Sequence, residues 1–113
     1  MSMSSALERR LRLLYNNVNL RFGVVKGGVG MAVMDAGKVT ITLPLGYDDD
    51  YTLRVLIHEL THHAMPGELA AWGDYEEDIL NRVVEPRMMQ HITERARIHA
   101  WWLRRLKQAR DNA

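Results

Sequence analysis

Three of the five histidines of this chain fall at positions 58, 62 and 63, and His58-Glu59-Leu60-Thr61-His62 has the form H-E-x-x-H. On an α-helix the first and last residues of that segment lie about 40° apart around the axis and one turn apart along it, so both imidazoles can reach one metal ion. Glu59 lies about 100° round from His58, where a carboxylate stands beside a metal without ligating it and can take a proton from a water. The spacing offers two ligands and one base. From the chain's own composition such a match arises by accident roughly once in a hundred chains. His63, one position off the ligand pair, reads as a surface residue or as a group that supports the ligands from behind.

Two imidazoles leave a zinc ion short of protein ligands, because catalytic sites have three and an open position. The 113 residues include no cysteine, which excludes a disulfide framework, a thiolate zinc knuckle and a cysteine nucleophile. The third ligand must offer nitrogen or oxygen. The downstream candidates are Asp74, Glu76, Glu77, Asp78, Glu85, His91 and His99.

The segments VLIHELTHHA and EEDILNR resemble the zincin metallopeptidases, in particular the gluzincin branch, and are closest to the ImmA/IrrE-type regulatory metallopeptidases and the very small gluzincin domains. The resemblance covers about residues 38–88. In that branch the third ligand is a Glu on the next helix, often opening an E-x-x-x-D/N pattern whose last residue hydrogen-bonds a ligand histidine. The resemblance thus implies Glu77 as third ligand and Asn81 as the residue that orients an imidazole. Helical geometry keeps two alternatives open. Ile79, Leu80, Val83 and Val84 centre an apolar face nearer Glu76, and a His91 ligand would make a three-histidine site. The chain departs from the family in its short loop between His62 and Glu77 and in Leu80, where a small Ala usually precedes the final Asp or Asn.

The expected chemistry is that of a zinc-dependent metalloendopeptidase on a protein or peptide substrate. Zn²⁺ on His58, His62 and Glu77 lowers the pKa of a water towards 7. Glu59 takes the proton and later delivers it to the leaving amine. Tyr75, Arg82 and His91 are the candidate donors to the developing oxyanion. Two other functions compete: a metal-binding pseudo-enzyme serving as a protein-interaction module, and a SprT-like protease acting on DNA-associated proteins.

These residues need elements to hold them. Asp48-Asp49-Asp50 offers an N-cap and first-turn carboxylates to a helix over about 51–65, with Leu53, Leu56, Ile57, Leu60 and Ala64 as its core stripe and Pro66-Gly67 as its stop. Before it, Val39, Ile41 and Leu43 alternate with Thr40 and Thr42, the period of a strand with one buried face. Residues 22–43 are rich in β-branched types and punctuated by glycine, which predicts two or three antiparallel strands near 20–25, 29–34 and 38–43. The strand Lys38–Leu43 is a candidate open edge for an extended peptide. Lys26-Gly27-Gly28-Val29-Gly30 lacks the ending of a phosphate loop and reads as a hairpin turn. Ser5 and Glu8 fit a capping box that starts a first helix, with Leu7, Leu11, Leu14 and Val18 as its apolar stripe. A third helix is predicted over about 74–90 and a terminal one from His91 to about Gln108. In the latter, Ile98, Trp101, Trp102 and Leu106 recur at the spacing of a packed face. The methionines read as core filling. The fold class is α+β, a minimal zincin-like domain with a small antiparallel or mixed sheet, as one domain over residues 1–113.

Composition agrees with one globular core: 47% of residues are hydrophobic and 26% charged. The N-terminal MSMSSALERRLRLLYNN interrupts each apolar run with charge, and no stretch approaches the ~18 apolar residues of a membrane span. A cytoplasmic protein with no membrane partner is expected. The net charge of +1 conceals three blocks. Residues 1–46 carry six basic and two acidic groups, residues 47–90 three and ten, and residues 91–113 six and two. The basic, tryptophan-containing end permits nucleic acid as a partner without favouring it. The acidic block holds most of the candidate metal chemistry.

Overall fold

In the computed structural model, which describes residues 2–25, 30–35, 38–65, 67 and 71–112, the first helix α1 spans Met3–Tyr15. Its N-cap is Ser2, whose hydroxyl accepts from the Ser5 amide at 3.1 Å, so the helix starts ahead of the expected Ser5 capping box. Glu8 is turned inward and is 1% exposed. It accepts from Trp102 Nε1 at 3.0 Å and pairs with Arg12 Nε at 2.8 Å. A carboxylate survives burial only with such charge-assisted or hydrogen-bonding partners, and here they tie α1 to the C-terminal helix. Arg10 donates to the Ala64 carbonyl at the end of the helix that carries His58 and His62.

Three strands follow: β1 (Asn19–Gly23), β2 (Met31–Asp35) and β3 (Lys38–Pro44), in the order β1-β3-β2. β2 is antiparallel to β3, but β1 is parallel to it, with Leu20 opposite Ile41 and Phe22 opposite Leu43. The expectation of antiparallel strands holds for β2 and is corrected for β1, so the sheet is the mixed one of the two alternatives. Alternation tells which face of a strand is buried, not which neighbour it takes or in which direction. β3 has Val39, Ile41 and Leu43 buried, and it occupies the centre. Consequently β3 cannot be the open edge anticipated for residues 38–43; the edges are β1 and β2. The glycine-rich turn at 26–29 and the turn at 36–37 lie outside the described residues.

Asp48 caps α2 (Asp49–Ala64) by accepting from the Tyr51 amide at 2.8 Å, with Asp49 and Asp50 in the first turn. Leu53, Leu56, Ile57 and Leu60 are all at 0% exposure, fixing the face that α2 turns to the core and leaving His58 and Glu59 half-buried beside it. The next helical run contains a 3₁₀ turn (Gly73–Tyr75), α3 (Glu76–Ile79), a π segment (Leu80–Val84) and α4 (Glu85–Thr93). The π segment closes with the Glu85 amide donating to the Leu80 carbonyl, five residues back. Pro86 accounts for it, since proline has no N–H to give the Arg82 carbonyl and its ring would collide with that carbonyl in an ordinary α-turn. The run continues through His91 and breaks at Glu94 and Arg95, and α5 (Ala96–Asp111) follows. The predicted boundary near residues 90 and 91 is thus displaced by several residues.

α5 packs on α2, α4 and β1. Its Trp102 and Leu106 enter the core, with Ile98 and Trp101 partly buried against it. Among the described residues no helix is long and apolar enough to cross a membrane.

Candidate metal centre

α2 presents His58 and His62 one turn apart, with ring centroids 4.9 Å apart and planes at 68°. Their Nε2 atoms face each other at 3.3 Å. Glu77, from the start of α3, straddles that pair: Oε1 is 2.6 Å from His62 Nε2 and Oε2 is 3.1 Å from His58 Nε2. One donor atom from each of the three residues lies within 4.8 Å of the others. In a tetrahedral zinc site with bonds of ~2.05 Å two nitrogens stand about 3.3 Å apart, the separation the two imidazoles already have. The Glu77 oxygens sit slightly inside that spacing. Its side chain is 60% exposed and has room to draw back, so the donor set fits a zinc-sized ion with an open position.

The opposite ring nitrogens are also engaged. His62 Nδ1 meets Glu76 Oε1 at 2.9 Å, and His58 Nδ1 meets Glu85 Oε2 at 3.1 Å. A carboxylate at Nδ1 can accept the ring proton, which favours the tautomer whose Nε2 lone pair faces the three-residue cluster. Glu85 is nearly buried and is steadied by Arg54, whose Nε is 3.4 Å from Oε1. Burial opposes charge on His58, yet the hydrogen bond it donates to Glu85 and the negative charges of Glu77, Glu59 and Glu85 prevail, and the group is raised above its ordinary 6.5.

The π segment explains how one helical run supplies carboxylates to both histidines. Eight α-helical steps from Glu77 to Glu85 would rotate them about 80° apart, but five residues wound at roughly 4.4 per turn remove about 90° and bring the two onto one side. Glu76, the alternative third ligand, does reach the cluster, but at the outer nitrogen of His62. His91 does not reach it: it is 6% exposed in α4 and feels Glu8 and Arg95 instead. His99 sits on α5, 3.7 Å from Asp50. Asn81, expected to orient an imidazole, lines the cleft and is exposed. The Nδ1 positions it would have served are taken by Glu76 and Glu85.

A cleft of about 410 Å³ opens beside the cluster, lined by Tyr51, Arg54, His58, Glu59, Glu77 and Asn81, among others. Glu59 therefore shares a cavity with two of the three clustered residues. Its side chain passes under Gly30, where a Cβ would stand only 2.9 Å from Glu59 Cγ and 2.7 Å from Val55 Cγ1; glycine permits that close approach of backbone to helix. Of the three expected oxyanion donors none lines the cleft. Tyr75 is 70% exposed, Arg82 is bound to Asp78 at 2.8 Å, and His91 lies elsewhere. The donors that do line it are Tyr51, Arg54 and Asn81. Tyr51 and Arg54 precede His58 by seven and four residues, so the helical period of α2 already placed them on its face. The chain matches no family model, no curated protein and no solved structure.

Proposed function

We propose that the protein is a zinc-dependent metalloendopeptidase of zincin-like construction, with His58, His62 and Glu77 as ligands and Glu59 as general base. The observation that carries this reading is the convergence of two Nε2 atoms and one carboxylate on a single point, with Glu59 in the adjoining cleft. A bound zinc ion supplies Lewis acidity towards a carbonyl and a water. Glu76 and Glu85 hold the imidazole tautomers. Glu59 accepts the proton of the attacking water and passes it to the leaving amine. Tyr51, Arg54 and Asn81 are the cleft donors available to the developing oxyanion. An extended substrate adds along the edge strand β2, which begins next to Gly30 at the cleft, rather than along the central β3.

The test has two stages. Purified protein should hold one zinc per chain, lost in His58→Ala and kept in Glu59→Gln. A peptide library should then reveal cleavage that Glu59→Gln abolishes. Zinc binding without any such cleavage would instead favour a metal-binding interaction module.

A further inference from the structure

A second groove lies away from the candidate metal cluster and shares no lining residue with its cleft. It measures about 600 Å³ and runs between the outer edge of β1, at Leu20, Arg21 and Phe22, and the face of α5 that carries Arg105, Gln108 and Ala109. β1 is a terminal strand of the sheet. Among the described residues no backbone hydrogen bond outside the sheet pairing reaches Asn19 to Phe22. Leu20 and Phe22 are in register with the buried Ile41 and Leu43 and share their helix-facing side, so α5 extends below the sheet beyond its last strand. The groove is the space that one more strand would fill. Five residues of β1 offer an edge of about 17 Å.

Its chemistry is cationic. The Arg105 guanidinium lies 5.3 Å from the Trp101 ring centre and 5.9 Å from that of Tyr15, and it donates to Asn16 Oδ1 at 3.4 Å. These contacts orient it without neutralising it. Arg21 is exposed and has no carboxylate partner among the described residues. Arg104 borders an adjoining hollow formed with Trp101, Arg105 and Gln108. The aromatic rings are poorly placed for stacking on bases, since Tyr15 is buried and Trp101 is covered by Arg105. The two walls thus provide an unpaired main-chain edge and guanidinium groups, which suits a peptide backbone with acidic side chains better than a nucleic acid.

We infer that the β1 edge and α5 form a docking site for an acidic, extended segment of a partner protein, which pairs with β1 as a fourth strand and sets carboxylates against Arg105 on the helix-facing side and against Arg21 on the opposite face of the sheet. This surface is carried by residues apart from the metal site and does not depend on its activity.

The probe is a capped peptide, Thr-Val-Glu-Glu-Glu-Val-Thr, which as a strand presents carboxylates on both faces, titrated into the isotopically labelled full chain. Amide resonances of residues 19–23 and 105–112 should shift, and β1 amides should exchange more slowly with solvent. Arg21→Glu should weaken binding by about tenfold. The same peptide N-methylated at alternate residues should lose binding, because a methylated amide cannot join the ladder. That comparison needs no variant and stays decisive if Arg21→Glu does not fold. No shifts at about 1 mM peptide, or equal affinity of the N-methylated peptide, would overturn the inference. Tighter binding of an oligothymidylate at the same amides would reassign the groove to nucleic acid. Self-association of the chain abolished by Arg21→Glu would reassign it to a second copy.

Discussion

Replacing Glu85 by glutamine tests whether the proposed metal site depends on the carboxylate behind His58. The structure places Glu85 Oε2 3.1 Å from His58 Nδ1, with the glutamate 9% exposed. A hydrogen bond to a charged group at such a site contributes about 1.5–3 kcal/mol, against about 0.5–1.5 kcal/mol for a neutral acceptor. The amide would keep the shape and lose the charge, a difference of about 1.4 kcal/mol, or about tenfold in zinc affinity. Competition with a chromophoric chelator at neutral pH measures it directly, with Asn81→Ala as the comparison because Asn81 forms no hydrogen bond to either ring. Glu85→Gln should lose about tenfold and Asn81→Ala should stay within about twofold. Equal affinity of Glu85→Gln and wild type, or a loss in Asn81→Ala as large as in Glu85→Gln, would refute the assignment of the outer nitrogen to Glu85.

Two other perturbations follow from the geometry. Gly30→Ala puts a methyl 2.7 Å from Val55 Cγ1 and 2.9 Å from Glu59 Cγ, which should cost about 1–3 kcal/mol of stability and displace the base. Zinc content should be unchanged while kcat/KM falls about 100-fold; cleavage at the wild-type rate would show that Glu59 is not held by this contact. His91 is pushed below its ordinary 6.5 by burial and by Arg95, against the pull of Glu8 and Glu94. The folded protein then binds fewer protons than the unfolded chain just below pH 6.5, so stability falls as pH drops through that value. Denaturation midpoints from pH 7 to 5 should decline more steeply for wild type than for His91→Gln, and parallel curves would contradict the sign.

Sequence reasoning reached some levels of this structure and not others. The Asp48 cap, the core stripe of α2 and the alternation in β3 depend on neighbours within a few residues, and each was legible. The orientation of β1 was not, because pairing direction is decided by the competition of three strands for the centre of the sheet. Glu8 looked like a capping residue because nothing local announced Trp102, 94 residues away. At the candidate site, the three converging residues were all nameable, whereas Asn81, which the resemblance implied would orient an imidazole, makes no hydrogen bond to either ring. Glu85 reaches His58 Nδ1 instead, brought round by the π segment that Pro86 favours, which a regular 3.6-residue spacing does not predict. Tyr75 and Arg82 sit near Glu77 along the chain but do not line the cleft, whereas Tyr51 and Arg54, two turns and one turn ahead of His58, do.

The wide turn between Leu80 and Val84 behaves as a single residue inserted into an otherwise ordinary helix. Glu77 and Glu85 stand eight letters apart but face the histidines as residues seven apart do in a regular helix, where seven steps complete almost two turns. A chain lacking that residue, and lacking the proline that favours the wide turn, would align the same two carboxylates with a shorter interval between them. The distance in letters between these glutamates is therefore not a signature of the site. Their common orientation towards the paired imidazoles is, and two chains could share it while differing in length at that point.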